Sequence, residues 1–210
     1  MNVITISREF GSGGRELGKR LAEALGYAYY DREILEKLAE QTELDAGYLE
    51  RVLEHGVADQ TYPIHIGRTF AAIPAFANHS TSLLACQTQI IRQLAQKGNC
   101  VIVGRNANVI LSEARPLRIF VYGDMKARIA RCRSRAPEGE KLTDQQYEKN
   151  IRQVDKYRAR IHNMLCDYDW GDVRGYDLCV NTTSIAVKDA VAPLAEYAGI
   201  WFAGREKKPE

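Results

Sequence analysis

The sequence predicts an α/β fold: a parallel sheet of roughly five strands with helices on both faces. Three observations point there. Short apolar runs recur at Val3–Ile6, Cys100–Val103, Leu117–Val121 and Asp177–Thr182. The stretches between them carry apolar residues at helical spacing, Leu17, Leu21 and Leu25 being the first set, so that crossovers rather than hairpins join the strands. The run Cys100–Val103 is unbroken in its apolar character, as suits a strand covered on both faces, and Val3–Ile6 is a short β-branched run.

The first unit is Val3 to Glu23. Val3-Ile4-Thr5-Ile6 reads as a strand, Gly11-Ser12-Gly13-Gly14 as a turn, and the residues from Arg15 as a helix. Glycines serve where backbone N–H groups turn inward together, and a following helix aims its unpaired N–H groups and dipole at the same point. An anion is expected there; a glycine-rich turn that merely joins strand to helix is the plain alternative. Set against the phosphate-binding pattern G-x-x-x-x-G-K-[ST], the stretch departs at its charged members. Arg8 replaces the leading glycine, Gly14 stands at the lysine position with Arg15 after it, and Glu16 is taken for the magnesium-holding hydroxyl residue. Lys19 lies more than a turn further on and is expected to point away.

Tyr27 to Tyr30 predicts a short second strand, closed by Asp31 as cap of a helix over Arg32–Gln41. Residues 42–80 are irregular, broken by Gly47, Gly56, Pro63, Gly67 and Pro74, and are expected to form an insertion over the sheet. Leu83–Lys97 is an amphipathic helix stopped by Gly98, and the strand Cys100–Val103 ends in Gly104-Arg105-Asn106. After Leu117–Val121, Asp124 opens a helix over Met125–Arg135, whose crowded arginines ordinarily face solvent. A break at Pro137 leads to a long polar helix over about 143–165. The strand Asp177–Thr182, a closing helix over Ile185–Tyr197 and a frayed polar tail from Gly204 follow.

A chain of 210 residues suits a single domain, 1–210, and its net charge of +2 is too small to imply a nucleic-acid partner. No apolar run reaches membrane-spanning length, and the N-terminus enters the first strand without a signal peptide, so a cytoplasmic protein is expected. The five cysteines are scattered and never spaced C-x-x-C, which reads as reduced thiols used in packing. His55, His65, His79 and His162 show no ligand spacing, and none is given a metal role.

In this order the motifs resemble the cytidylate kinases, and more closely the cytidylate kinase-like group whose loop also reads SREFGSGGRE. The likeness runs from Val3 to about Tyr197. It rests on the loop, Gly104-Arg105, the arginine-rich helix, Asp155-Lys156-x-Arg158, and Tyr168-Asp169-Trp170 leading to Tyr176-Asp177-Leu178. The resemblance implies a P-loop kinase fold with a nucleotide-accepting insertion and an arginine-bearing helical lid at about 135–170. It implies ATP and Mg2+ as cofactors, with the donor phosphates on Gly11, Ser12, Gly13, Gly14, Arg15, Glu16 and Arg131. Arg105 would bind the acceptor phosphate, and Asn106 would stand where cytidylate kinases place an aspartate against the base. Lys37 falls near an acceptor-phosphate arginine, and Asp155 and Arg158 match the lid aspartate and a lid arginine. Arg8 and Arg15 are the cations nearest the vacant lysine position, and Glu16 is the metal candidate.

Each role has a structural alternative. Arg105 could pair with a helix end, although the carboxyl end of a buried strand is where α/β sheets bind ligands. Asn106 could be a turn residue, Asp155 and Arg158 a surface i,i+3 pair, and Trp170 a packing anchor. The leading expectation is ATP-dependent phosphoryl transfer to a nucleoside monophosphate, CMP or dCMP, by a monomer or homodimer with small-molecule nucleotide substrates. A kinase for another small acceptor, or a non-catalytic nucleotide-binding protein, is the alternative, motivated by the absent lysine and hydroxyl.

Overall fold

The computed structural model describes residues 2–45, 47, 49 and 75–206, so most of the insertion expected at 42–80 lies outside the described residues. The sheet consists of β1 (Val3–Arg8), β2 (Ala28–Tyr30), β3 (Cys100–Val103), β4 (Leu117–Tyr122) and β5 (Leu178–Asn181), in the order β2-β3-β1-β4-β5. Every pairing is parallel. The described helices are α1 (Gly14–Leu25), α2 (Arg32–Thr42), α3 (Ala75–Gln96), α4 (Ala107–Ile110), α5 (Met125–Ser134), α6 (Asp144–Asn163) and α7 (Val191–Glu206).

Side chains of β1 alternate between two cores, as the period of a strand requires. Val3, with Cys100 and Ile102 of β3, packs under α2 and α3 against Ile34, Leu38 and Ile91. Ile4 and Ile6, with Val101 and Val103, pack under α1 and α7 against Leu17, Leu21 and Leu194. Each such side chain contributes about 1.5–3 kcal/mol when fully buried, which fixes β1 at the centre of the molecule. Because all strands run the same way, their carboxyl ends share one edge, where Arg8, Asp31, Gly104, Gly123 and Thr182 lie.

The helix before β3 starts at Ala75, earlier than its amphipathic core at Leu83 indicates. Asp31 occupies the cap position of α2 but makes no cap hydrogen bond, because its carboxylate is drawn to Arg15 instead. At α6 the reverse holds: Thr143 and Gln146 form a reciprocal capping box, a T-x-x-Q signal present in the sequence. The tail is not frayed from Gly204. The last helix follows a 3-10 turn at Val187–Ala190 and continues to Glu206, with Arg205 Nη1 donating to the Arg115 carbonyl at 2.5 Å. No helix among the described residues is long and apolar enough to cross a membrane.

Candidate active site

The loop after β1 is shaped by two left-handed glycines, Gly11 (φ 78°) and Gly13 (φ 87°). Ser12 donates to the Glu9 carbonyl through both its N–H (3.3 Å) and its hydroxyl (2.9 Å). Thr182, at the end of β5, donates its hydroxyl to the Ser12 carbonyl at 2.7 Å. The first bond of α1 runs from the Leu17 N–H to the Gly13 carbonyl at 2.9 Å. The N–H groups of Gly14, Arg15 and Glu16 therefore have no intrahelical acceptor and are offered, with the helix dipole, to an anion. The glycines are also required by packing: a Cβ at Gly13 would lie 2.6 Å from Val187 Cγ2, and one at Gly11 would lie 2.9 Å from the Arg128 carbonyl and Cys132 Sγ.

Behind the loop sits a group of three charges, the cation buried and both carboxylates part-buried. Arg128 of α5, only 4% exposed, donates Nε to the Phe10 carbonyl at 2.8 Å, meets Glu9 Oε2 at 3.1 Å and forms an ion pair with Asp155 of α6. Asp155 accepts the Phe10 N–H at 2.8 Å, so both polar groups of the Phe10 peptide backbone are held from the helical layer. Glu9 in turn accepts the Gly123 N–H at 3.1 Å. Burial pushes the carboxyls of Glu9 and Asp155 above their ordinary range, and the Arg128 charge only partly offsets it. The arginines of α5 are thus not one solvated face. Arg133 does sit outside, paired with Asp144, while Arg128 is interior.

Further arginines bind around the loop. Arg131 donates to the Gly11 carbonyl at 3.4 Å and to the Thr182 carbonyl. Arg158 of α6 donates to the Arg8 carbonyl at 3.1 Å and lies 5.6 Å above the Phe10 ring. They bound a cavity of about 670 Å³, lined also by Gly11, Gly13, Gly14 and Tyr147. A second cavity, about 50 Å³, lies beyond the end of β3 and is lined by Gln87, Arg105, Asn106, Tyr157 and Trp170. Arg8 and Arg158 line both.

The structure brings together Arg8, Gly11, Gly13, Gly14, Arg15, Arg131 and Arg158 at the larger cavity, and Arg105 and Asn106 at the smaller. Ser12 lies buried under the loop. Asp155 holds the loop from behind and lines neither cavity, so it is a positioning group. Lys37 is exposed on α2 and lines neither cavity. Glu16 does not suit the metal role: strict counting from Arg8 puts the hydroxyl position at Arg15, and the Glu16 carboxylate is bound by Arg20 at 2.8 Å and by Arg135. Among the described residues no cluster of three His, Cys, Asp or Glu side chains is poised for a metal ion. Trp170 both lines the smaller cavity and packs edge-on against Phe120 at 5.4 Å. Sequence reasoning missed Arg128, Glu9, Tyr157 and Thr182. For Arg128 a signal existed: Arg128, Arg131 and Arg135 fall at i, i+3 and i+7, one face of a helix, and Arg133 falls off it.

The model of the cytidylate kinase-like family matches residues 3–184. In structure the chain is similar to an uncharacterized protein from Eubacterium ventriosum, with 26% identity, 95% of this chain and 99% of that one covered, and a TM-score of 0.68. It is also similar to the shikimate kinase of Bacteroides thetaiotaomicron, at 16% identity over 93% of this chain and 97% of that one, with a TM-score of 0.56. A shikimate kinase from Acinetobacter baumannii in complex with shikimate matches at 14% identity, 99% and 96% coverage, and a TM-score of 0.53. At those identities the two shikimate kinases establish the fold, that of P-loop kinases. No curated protein sequence matches the chain. The family match begins in β1, runs through the phosphate loop and both helices that hold it, and ends just past β5: the chain belongs to the cytidylate kinase-like family.

Proposed function

We propose that this chain transfers the γ-phosphoryl group of ATP to a nucleoside monophosphate, CMP or dCMP foremost. Family membership supports the coarser part, a nucleotide-dependent kinase-type function. The observation that carries the rest is the meeting of two cavities at Arg8 and Arg158, one against the loop N–H groups and one against Arg105. The loop and arginines fit a triphosphate in the larger cavity. In the transfer, the bond from the γ-phosphorus to its bridging oxygen breaks and ADP leaves with that electron pair, while an acceptor oxygen forms the new bond. Catalysis of this kind is mainly positioning and charge neutralisation, which guanidinium groups supply. The carboxylates at Glu16, Glu9 and Asp155 are all engaged by arginines, so they do not fit as ligands of a magnesium ion, which would have to be held through the phosphates of ATP.

Those same pairings favour a phosphate acceptor. A phosphate oxygen is largely ionised at neutral pH, whereas a hydroxyl needs a general base, and Glu9 and Asp155 are held by Arg128. One observation favours a hydroxyl acceptor as a second reading. Asp31 Oδ1, at the end of β2, is buried without a hydrogen-bond partner in a hollow beside Arg15 and Lys19. The test is ADP release from ATP and magnesium with a panel of nucleoside monophosphates and small hydroxy acids. Stimulation by CMP or dCMP is expected. Stimulation by a hydroxy acid alone, abolished in Asp31→Asn, establishes the second reading instead. ATP binding without stimulation by any acceptor overturns both.

A further inference from the structure

Resting on that reading, we infer that Arg8 delivers, from the end of β1, the positive charge that the phosphate-binding pattern places on a lysine at the start of α1. Gly14 occupies the lysine position. A Cβ there would lie 2.5 Å from Arg8 Cβ, 3.0 Å from Arg8 Cγ and 3.3 Å from Val121 Cβ. The stem of Arg8 thus fills the space from which a lysine at position 14 would start. At its other end the Arg8 guanidinium lies against the bare Cα of Gly104, where a Cβ would collide with Nη1 and fall 2.6 Å from Cζ. Two glycines on separate elements are therefore bare on the sides Arg8 crosses.

Its surroundings hold Arg8 in that course. It is 8% exposed, its carbonyl accepts from Arg158 at 3.1 Å, and it lines both cavities. The competing cation, Arg15, is half exposed and its Nε is ion-paired at 2.6 Å with the buried carboxylate of Asp31, at the end of β2. A guanidinium brings planar, forked donors where a lysine brings a point charge. From this position Arg8 can bridge a donor phosphate and an acceptor phosphate, a span that a lysine rooted in α1 would meet from the donor side.

The assignment makes lysine and arginine exclusive: Gly14→Lys has no room while Arg8 is present, and gains room when Arg8 is shortened. The experiment is a charge transplant, comparing the unaltered chain, Arg8→Gly, Arg8→Gln, and the double variant Arg8→Gly/Gly14→Lys. Binding of ATP with magnesium, acceptor-stimulated ADP release and melting temperature are read for each. Arg8→Gln keeps the stem over Gly14 without the charge, which serves if Arg8→Gly does not fold. Turnover is expected to fall by ~10³-fold in the single variants. ATP affinity should fall by about tenfold in both, a change of 1.4 kcal/mol. The double variant should recover most of both. Full turnover and affinity in folded Arg8→Gln, or losses in Arg8→Gly that the folded double variant does not recover, overturn the assignment. If no acceptor is phosphorylated by the unaltered chain, the proposed reaction fails on that arm alone. The ATP-binding arm then decides on Arg8: loss and recovery support it, and unchanged affinity overturns it.

Discussion

The two cavities beside the phosphate loop are built differently. The larger, about 670 Å³, is walled by regular helices whose arginines bind loop carbonyls and buried carboxylates: Arg128 on Phe10, Arg131 on Gly11, Arg158 on Arg8. The smaller, about 50 Å³, hangs on three successive left-handed residues at the end of β3, Gly104 (φ 75°), Arg105 (φ 58°) and Asn106 (φ 54°). In the first, charge is placed by an ionic network. In the second it is placed by backbone strain, of about 1–2 kcal/mol for each non-glycine residue in that region. On the proposed reading, the donor would take the site built by ion pairs and the acceptor the one defined by backbone conformation.

The sharpest way to break the contrast is at Arg128. Arg128→Met leaves the part-buried carboxylates of Glu9 and Asp155 without the cation they share, with Arg158 remaining 4.0 Å from Asp155. Loss of one partner from a buried group costs about 3–5 kcal/mol, which the exposure of Glu9 reduces to about 2–3 kcal/mol. Thermal unfolding should show a loss of that order together with weakened ATP binding, and an unchanged melting temperature would contradict the network. Because both carboxyls already sit above their ordinary range, protonation relieves the variant, and its deficit should shrink on acidification.

Gly104→Ala attacks the other region. It adds a left-handed alanine at a cost of about 1–2 kcal/mol and displaces the Arg8 guanidinium, so turnover should fall more than stability explains. Loss of stability with turnover intact would sever the turn from the reaction.

The smallest effect separates the regions by their response to acid. Above the donor-side cluster's raised pKa values, Glu9 and Asp155 are ionised at a cost. Their contribution to stability is greatest below the ordinary carboxylate values and is lost as pH rises through the raised ones. His162, behind the acceptor side, behaves oppositely. It is fully buried, packs on the Tyr168 ring at 5.0 Å, and burial holds its pKa below 6.5. Its contribution is present above 6.5 and is lost as pH falls below that value. Between about pH 7.5 and 5.5 the melting temperature of His162→Phe should rise relative to that of the unaltered chain as pH falls, because the variant lacks the acid-sensitive contribution; a difference that does not change with pH would remove His162 from the account.

The sheet was legible because its strands are apolar on both faces: Cys100–Val103 is found as read, and Leu117–Tyr122 extends one residue beyond the reading. The glycine loop and Arg105 were legible from strand-end position. Arg128 was legible only as one of the arginines sharing a helix face with Arg131 and Arg135; its burial was not, because the carboxylates it meets, from residues 9 and 155, are distant in sequence. The course of Arg8 was equally hidden, since Gly14 and Gly104 lie far apart in sequence and only the parallel register of β1 and β3 brings them to either side of one side chain. The fate of Lys37 depended on a loose alignment, and the exposed face of α2 carries it away from both cavities.

The division of labour between the cavities is tested most directly by titrating ATP and CMP separately, by calorimetry, into Arg105→Ala and Arg131→Ala. Losing a charge-assisted phosphate contact is worth about 1.5–3 kcal/mol, or tenfold and more in affinity. The account predicts that Arg105→Ala loses CMP affinity by that factor with ATP affinity nearly unchanged, and that Arg131→Ala does the reverse. Equal losses for both nucleotides in either variant would contradict it.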